Sequence, residues 1–259
     1  MNTPSLPIGR RDILASSLAL ATLAGCGRRA RLPGEVVIGS SPTGVPFSFV
    51  DPYTNLLTGS MVDTAKAIMA AQHLTPELRI TPFSALIPSL IAGKIDVIAA
   101  ALLRTPEREK IVAFSDPVYS YSGALVVRRG ETRRFSDLAT ARALRIGGQI
   151  GTRFIAQLHE AGVATVSTYE GLGDMLRDLD HGRVDAIYGD EPILRYQLRV
   201  GPRRDVEFAE GFAAPAREEL CLVLRHGDPL VSRIDAAIAV LRPRVIPAIA
   251  RHWGLEGRA

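Results

Sequence analysis

Cysteine is nearly missing from this chain: among 259 residues only Cys26 and Cys221 carry a thiol. Histidine is scarce too. His73, His159, His181, His226 and His252 stand apart, with no two at the spacing of a metal site. There is no Gly-x-Ser-x-Gly turn and no phosphate-binding Gly-x-x-x-x-Gly-Lys loop, and Cys221 has no histidine beside it. The sequence therefore proposes no nucleophile, metal or cofactor. No apolar run reaches the roughly 18–20 residues that cross a bilayer, which excludes a multi-pass membrane protein. A basic stripe is lacking as well: the formal charge is +4 but the arginines are scattered, so the chain does not read as a nucleic-acid-binding protein. Repeats and low-complexity stretches are absent. A hydrophobic share of 47% with 22% charged residues excludes collagen, coiled coil and wholesale disorder.

What the chain does contain begins with an address. Arg10 and Arg11 precede about thirteen mostly apolar residues, the length of a signal peptide rather than of a span. Arg10-Arg11-Asp12-Ile13-Leu14 resembles the twin-arginine export signature, and Leu23-Ala24-Gly25-Cys26 resembles the lipobox of bacterial lipoproteins. The expectation is a signal peptide over residues 1–25, lipidation at Cys26 and a tether over residues 26–34. Two or three acyl chains suffice for stable anchoring, where one is marginal. Cys221 is then left without a partner inside Leu220-Cys221-Leu222-Val223-Leu224, and reads as a small core residue.

Beyond the tether, strand and helix patterns alternate. Buried-strand runs lie at residues 36–39, 95–103, 124–127, 144–147, 185–188 and 220–224. Helical spacing of apolar residues appears at 62–72, 153–160, 172–179, 192–200, 230–241 and 245–252, and residues 81–91 straddle a strand end and a helix. Strands alternating with helices predict an α/β protein with sheets covered on both faces.

Three junctions carry chemistry. Thr105-Pro106-Glu107-Arg108 is a helix start, with Thr at the N-cap and Pro at the first helical position. Arg108 falls in the first turn, where the helix dipole disfavours a cation. Either it pairs locally with Glu107 or Asp116, or its guanidinium and the free N–H groups converge on one anion, with a geometry suited to a carboxylate. Gly147-Gly148-Gln149-Ile150-Gly151-Thr152 is a second strand-to-helix junction, where Thr152 can cap and also donate to a ligand. The third, Asp185 to Pro192, places Asp190 and Glu191 at the carboxyl end of a strand, where open α/β sheets bind ligands. A plain N-cap is the alternative there.

Taken in order, Pro46-Phe47, the run from Ala85 to Ile98, Thr105-Pro106-Glu107-Arg108, Phe114-Ser115-Asp116-Pro117, Gly151-Thr152 and Gly182-Arg183-Val184-Asp185-Ala186 resemble the family 3 extracellular solute-binding proteins. These are the amino-acid receptors of ABC importers. The resemblance spans about Val36 to Trp253. It implies a periplasmic-binding-protein-like fold of two α/β lobes joined by two crossing strands, with a ligand cleft between them. Lobe 1 would comprise residues 35–120 plus 219–259, and lobe 2 residues 121–218. It further implies that Arg108 clamps a ligand carboxylate, that Gly151 and Thr152 add donors, that Asp190 pairs with an ammonium and that Phe83 stacks on the ligand side chain. Phe47 and the backbone of Leu103 complete the implied set. The implied partners are a small-molecule ligand and an ABC permease, with the membrane reached through the lipid anchor and the protein a monomer.

The sequence also departs from that family. Ala101-Leu102-Leu103 stands where a Gly-x-Thr is frequent, so a hydroxyl acceptor for the ammonium is missing. Ser41 and Gly44 replace a frequent acid and a frequent aromatic. Arg153 follows Thr152 where a small polar residue is commoner, either to meet a second acid group of the ligand or as a solvated helix residue. The expected function is an exported receptor and not an enzyme. The alternative is a cyclohexadienyl dehydratase-like enzyme on the same fold, with Glu191 as its acid.

Overall fold

The computed structural model describes residues 33–255. The signal peptide over residues 1–25, Cys26 and the start of the tether lie outside them.

The first sheet has the order Thr75–Ile80, Glu35–Ser40, Val97–Ile98, Val223–Leu224, Ala113–Phe114. Its first three strands are parallel and its last two join antiparallel. Within the strand Glu35–Ser40, Val36–Gly39 is apolar without interruption because both faces are covered. Val36 and Ile38 face one cluster with Ile68, Met69, Leu224 and Ile234. Val37 faces the opposite one with Leu86, Leu90, Ile95 and Ile98, as the two-residue period of a strand requires. Helices Ser60–Ala71, Leu230–Leu241 and Leu86–Ile91 supply Ile68, Met69, Ile234, Leu86 and Leu90.

The second sheet has the order Thr165–Tyr169, Arg145–Gln149, Ala186–Asp190, Tyr119–Arg128, Val206–Phe208. Helices Arg153–Glu160, Leu172–Asp180 and Glu191–Val200 pack on it, burying Phe154, Leu158, Met175, Leu176, Leu179 and Leu194. A small antiparallel sheet, Thr43–Gly44, Ser48–Val50 and Leu57–Thr58, carries the loop after the first strand. Two lobes result, and two strands cross between them. Tyr119–Arg128 starts against Arg217–Leu220, with Ser120 opposite Glu219 and Tyr121 opposite Glu218, and then runs on into the second sheet.

The expected elements recur with shifted ends, and three differences have physical causes. The run at 95–103 is buried throughout, but only Val97–Ile98 pairs as strand. The run at 220–224 is broken. Leu220 ends a crossing strand, the Leu222 N–H donates to Ser115 Oγ at 3.0 Å, and Val223–Leu224 belongs to the first sheet. Strands Thr75–Ile80 and Thr165–Tyr169 escaped the pattern because each is an edge strand, half exposed and rich in polar residues. Cys221 is buried and free, and burial pushes its thiol up to about 12.

Candidate functional site

Arg108 enters on the short helix Pro106–Glu109, which Thr105 caps by accepting from the Arg108 N–H at 3.3 Å, with proline in the first turn. The cap fixes the backbone, so the guanidinium is free to leave the helix. It turns into the cleft, half-buried, and donates to the Leu103 carbonyl and, across the cleft, to the Gly151 carbonyl at 2.7 Å. Neither local ion pair forms: Asp116 instead faces Arg242 at 3.7 Å, and Arg108 has no carboxylate partner within salt-bridge distance among the described residues. Burial lowers its pKa to about 10, with the nearby Tyr121 and Asp190 opposing, so it stays cationic at neutral pH. Neutral carbonyls are weak partners for a guanidinium, which forms its strongest bonds with a planar anion.

The second lobe meets it through Gly151. This residue turns the chain from Arg145–Gln149 into helix Arg153–Glu160 at a φ of 76°, a left-handed conformation that glycine adopts freely. A Cβ there would lie 3.8 Å from the Ser84 Cα and 3.9 Å from the Phe83 ring, so the two lobes are in contact at this point. Thr152 is buried and holds the N-cap position, but contrary to expectation its hydroxyl caps nothing and donates to the Gln149 carbonyl at 2.7 Å. The Gln149 amide in turn reaches Thr43 Oγ1 of the first lobe at 3.3 Å. Arg153 fits neither expected role. It binds Glu160 through two nitrogens at 2.6 and 3.0 Å and approaches Glu218 to 3.7 Å, so carboxylates of the protein already hold it.

Asp190 ends the strand Ala186–Asp190 fully enclosed. It occupies the N-cap position of helix Glu191–Val200, yet its carboxylate makes no cap bond and accepts instead from the Tyr121 hydroxyl. Burial raises its pKa to about 6, against the pull of the Tyr121 hydrogen bond and of Arg108. Glu191, one residue on, is paired with Arg195 at 2.5 Å on the helix surface.

The aromatic expectations separate. Phe83 is half-buried at the cleft edge beside Gly151. Phe47 is fully buried and stacks on Tyr121, ring centroids 5.2 Å apart at 24°. Leu103 is buried, and its carbonyl is one of the two that Arg108 holds. Two further polar side chains stand in this network, Tyr121 and Glu218. Tyr119-Ser120-Tyr121-Ser122 alternates aromatic and small residues with the period of a strand, which is the sequence signal that sets Tyr121 on one face. Glu218 accepts from Gln157 Nε2 at 2.6 Å, Gln157 Oε1 accepts from Tyr188 at 2.8 Å, and burial raises the Glu218 pKa while Arg153 opposes. The structure thus brings Arg108 together with the Leu103 and Gly151 carbonyls, sets Gly151 beside Phe83, and keeps the buried Asp190 and Tyr121 near enough to feel the Arg108 charge.

Known proteins are similar to this chain in sequence and in fold. The chain is 30% identical over 200 residues to ABC transporter arginine-binding protein 1 of Escherichia coli (strain K12), covering 76% of this chain and 78% of that protein. It is 33% identical over 182 residues to the histidine-binding periplasmic protein of Salmonella typhimurium, covering 69% of each. Its fold superposes on an ancestral arginine-binding protein bound to glutamine with a TM-score of 0.78 at 27% identity, covering 87% of this chain and 100% of that one. These relatives are named as binding proteins, which speaks for a receptor and against the dehydratase alternative. The sequence pattern of the bacterial extracellular solute-binding proteins, family 3, matches residues 36–256, and the chain belongs to that family.

Proposed function

We propose that this protein is an exported, lipid-anchored receptor that binds an amino acid or related small carboxylate and delivers it to an ABC permease. The observation that carries the reading is Arg108, a cation in the cleft whose guanidinium rests on two carbonyl oxygens from opposite sides, Leu103 and Gly151. A ligand carboxylate replaces those neutral partners with an anion in bidentate geometry. Asp190 takes the ammonium, Gly151 and Thr152 frame the carboxylate, and Phe83 covers the side chain. Residues 35–120 plus 219–259 form the first lobe and residues 121–218 the second. Relatives named for arginine and histidine support the amino-acid class.

The side-chain end favours an uncharged ligand. The hydroxyls of Ser41 and Thr43 are bonded to each other at 2.9 Å, and Gly44 lies beside Ile193. No carboxylate stands in that loop to balance a guanidinium or an ammonium. A thermal-shift screen of the chain without residues 1–26 against amino acids, opines, compatible solutes and prephenate tests the reading. A ligand at 100 times its Kd adds about 2.7 kcal/mol of apparent stability. A shift with an apolar or small amino acid is expected, and no shift with any carboxylate overturns the reading. The anchor has its own test: Cys26→Ser in the full chain should move the protein from the membrane fraction to the soluble one, because acyl chains supply the stable attachment. A full-length mutant that stays wholly on membranes excludes the lipobox.

A further inference from the structure

We propose that Tyr121 is a specificity-determining residue of the cleft, its phenol oxygen acting together with Asp190 as the acceptor for the ligand ammonium. The inference rests on the amino-acid reading above.

It follows from counting acceptors. A primary ammonium presents three N–H donors, and each donor left without a partner in a buried site carries a desolvation cost. The Leu103 side chain offers no acceptor, and one lone pair of the Leu103 carbonyl is taken by Arg108. The hydroxyls of Ser41 and Thr43 are engaged with each other, and Thr43 also with Gln149. The charged acceptor among these groups is the Asp190 carboxylate, and the oxygen bonded to it lies beside it. The Tyr121 hydroxyl spends its single proton on Asp190 Oδ1, which leaves its lone pairs as the only acceptor capacity of that group. Donation to a carboxylate polarises the phenol and makes its oxygen a better acceptor. One ammonium can therefore meet Asp190 Oδ2 and Tyr121 Oη together, and the pair is buried on both sides.

The frame holds that oxygen still. In the antiparallel pairing Asp190 lies opposite Gly123, so Tyr121 is its diagonal neighbour on the same face. Phe47 stacks on the Tyr121 ring at 5.2 Å, and Tyr119 flanks it at 6.1 Å. The backbone of Tyr121 is paired with Glu218 in the crossing strands. The acceptor thus comes from the strand that joins the lobes, while Asp190 comes from the second sheet. Selectivity follows. A ligand with N–H donors gains both bonds, whereas a 2-hydroxy acid or a trimethylated amine leaves the Tyr121 lone pairs without a charged donor.

Tyr121→Phe removes the oxygen and keeps the stacked ring. Calorimetry on wild type and variant would use the protein amino acids and, for each that binds, the matching 2-hydroxy acid. The expected result is a Kd for the amino acid weakened about tenfold or more in the variant, a charge-assisted bond being lost, with the 2-hydroxy acid changed little. Comparing two ligands on one variant cancels any loss of folded protein. An equal loss for both ligands, or none for either, overturns the role of Tyr121 and leaves the receptor reading intact. A wild type that binds no amino acid overturns both.

Discussion

A carboxylate buried without a cation in contact costs the protein something that a ligand can repay, and Asp190 is in that position. Its pKa is raised to about 6 by burial from an ordinary carboxylate value near 4, so between those two values the folded state holds more protons than the unfolded state. Stability from this group therefore falls as pH rises through that window. The full cost, up to about 3 kcal/mol for two units, applies above pH 6. Asp190→Asn should raise the melting temperature of the ligand-free protein at pH 7.5, and the gain should fade by pH 4.5, where the wild-type carboxyl is itself protonated. Asparagine keeps a carbonyl oxygen for Tyr121, so the hydrogen bond does not confound the comparison. A gain that is the same at both pH values would assign the effect to packing instead. Arg108 and Asp190 were singled out from the sequence because each sits at a helix start with a local signature. Tyr121 was not, since its role depends on a register with Asp190 that joins residues 69 positions apart. Phe47 was legible as an aromatic of the cleft region but not as the ring behind Tyr121, because burial on all sides depends on the whole fold.

At the scale of the element, the crossing strand Tyr119–Arg128 is the part most tightly constrained. A Cβ on Gly123 would stand 2.4 Å from the Tyr188 hydroxyl, which bonds Gln157 and through it Glu218. Gly123→Ala should destabilise the fold by about 1–3 kcal/mol, since Tyr188 is fully buried and overpacking has no easy outlet there. Gly173 offers the opposite case. It lies in the first turn of helix Leu172–Asp180 with nothing within 4 Å of an added Cβ, so Gly173→Ala should stabilise by up to about 0.5 kcal/mol. Urea titration checks both: the midpoints should move in opposite directions with the slope unchanged. Inner strands and amphipathic helices were readable because their period matches their burial, as in Arg153–Glu160 and Val245–His252. The edges Thr75–Ile80 and Thr165–Tyr169 were not, because half-exposed edge strands blur the hydrophobic pattern. The split of the 220–224 run was hidden for another reason: all five residues are buried, so composition cannot tell a crossing strand from a sheet strand.

Several polar and close contacts join the two lobes away from the crossing strands. Arg108 donates to Gly151, Gln149 reaches Thr43, and Gly151 abuts Ser84 and Phe83. Only the first of these involves a charge, and the ligand proposed above would occupy that same charge. Closure then depends on what Arg108 holds. In the liganded protein its nitrogens bind a carboxylate that Gly151 and Thr152 face from the other lobe, so the closed form binds ligand better and its population rises by no more than that difference in affinity. Arg108→Ala should leave the fold in place, because Thr105 caps the backbone N–H of position 108 and not its side chain. It should weaken the ligand found in the screen about tenfold to a hundredfold, the range for a charge-assisted hydrogen bond. Small-angle scattering on wild type and variant separates binding from closure. Wild type should compact on saturation, whereas the variant should be more open without ligand, having lost the Arg108–Gly151 bond, and should compact less even when saturated. A variant that binds weakly but closes fully would show that Arg108 supplies affinity alone and that Asp190, Tyr121 and Phe83 suffice to draw the lobes together.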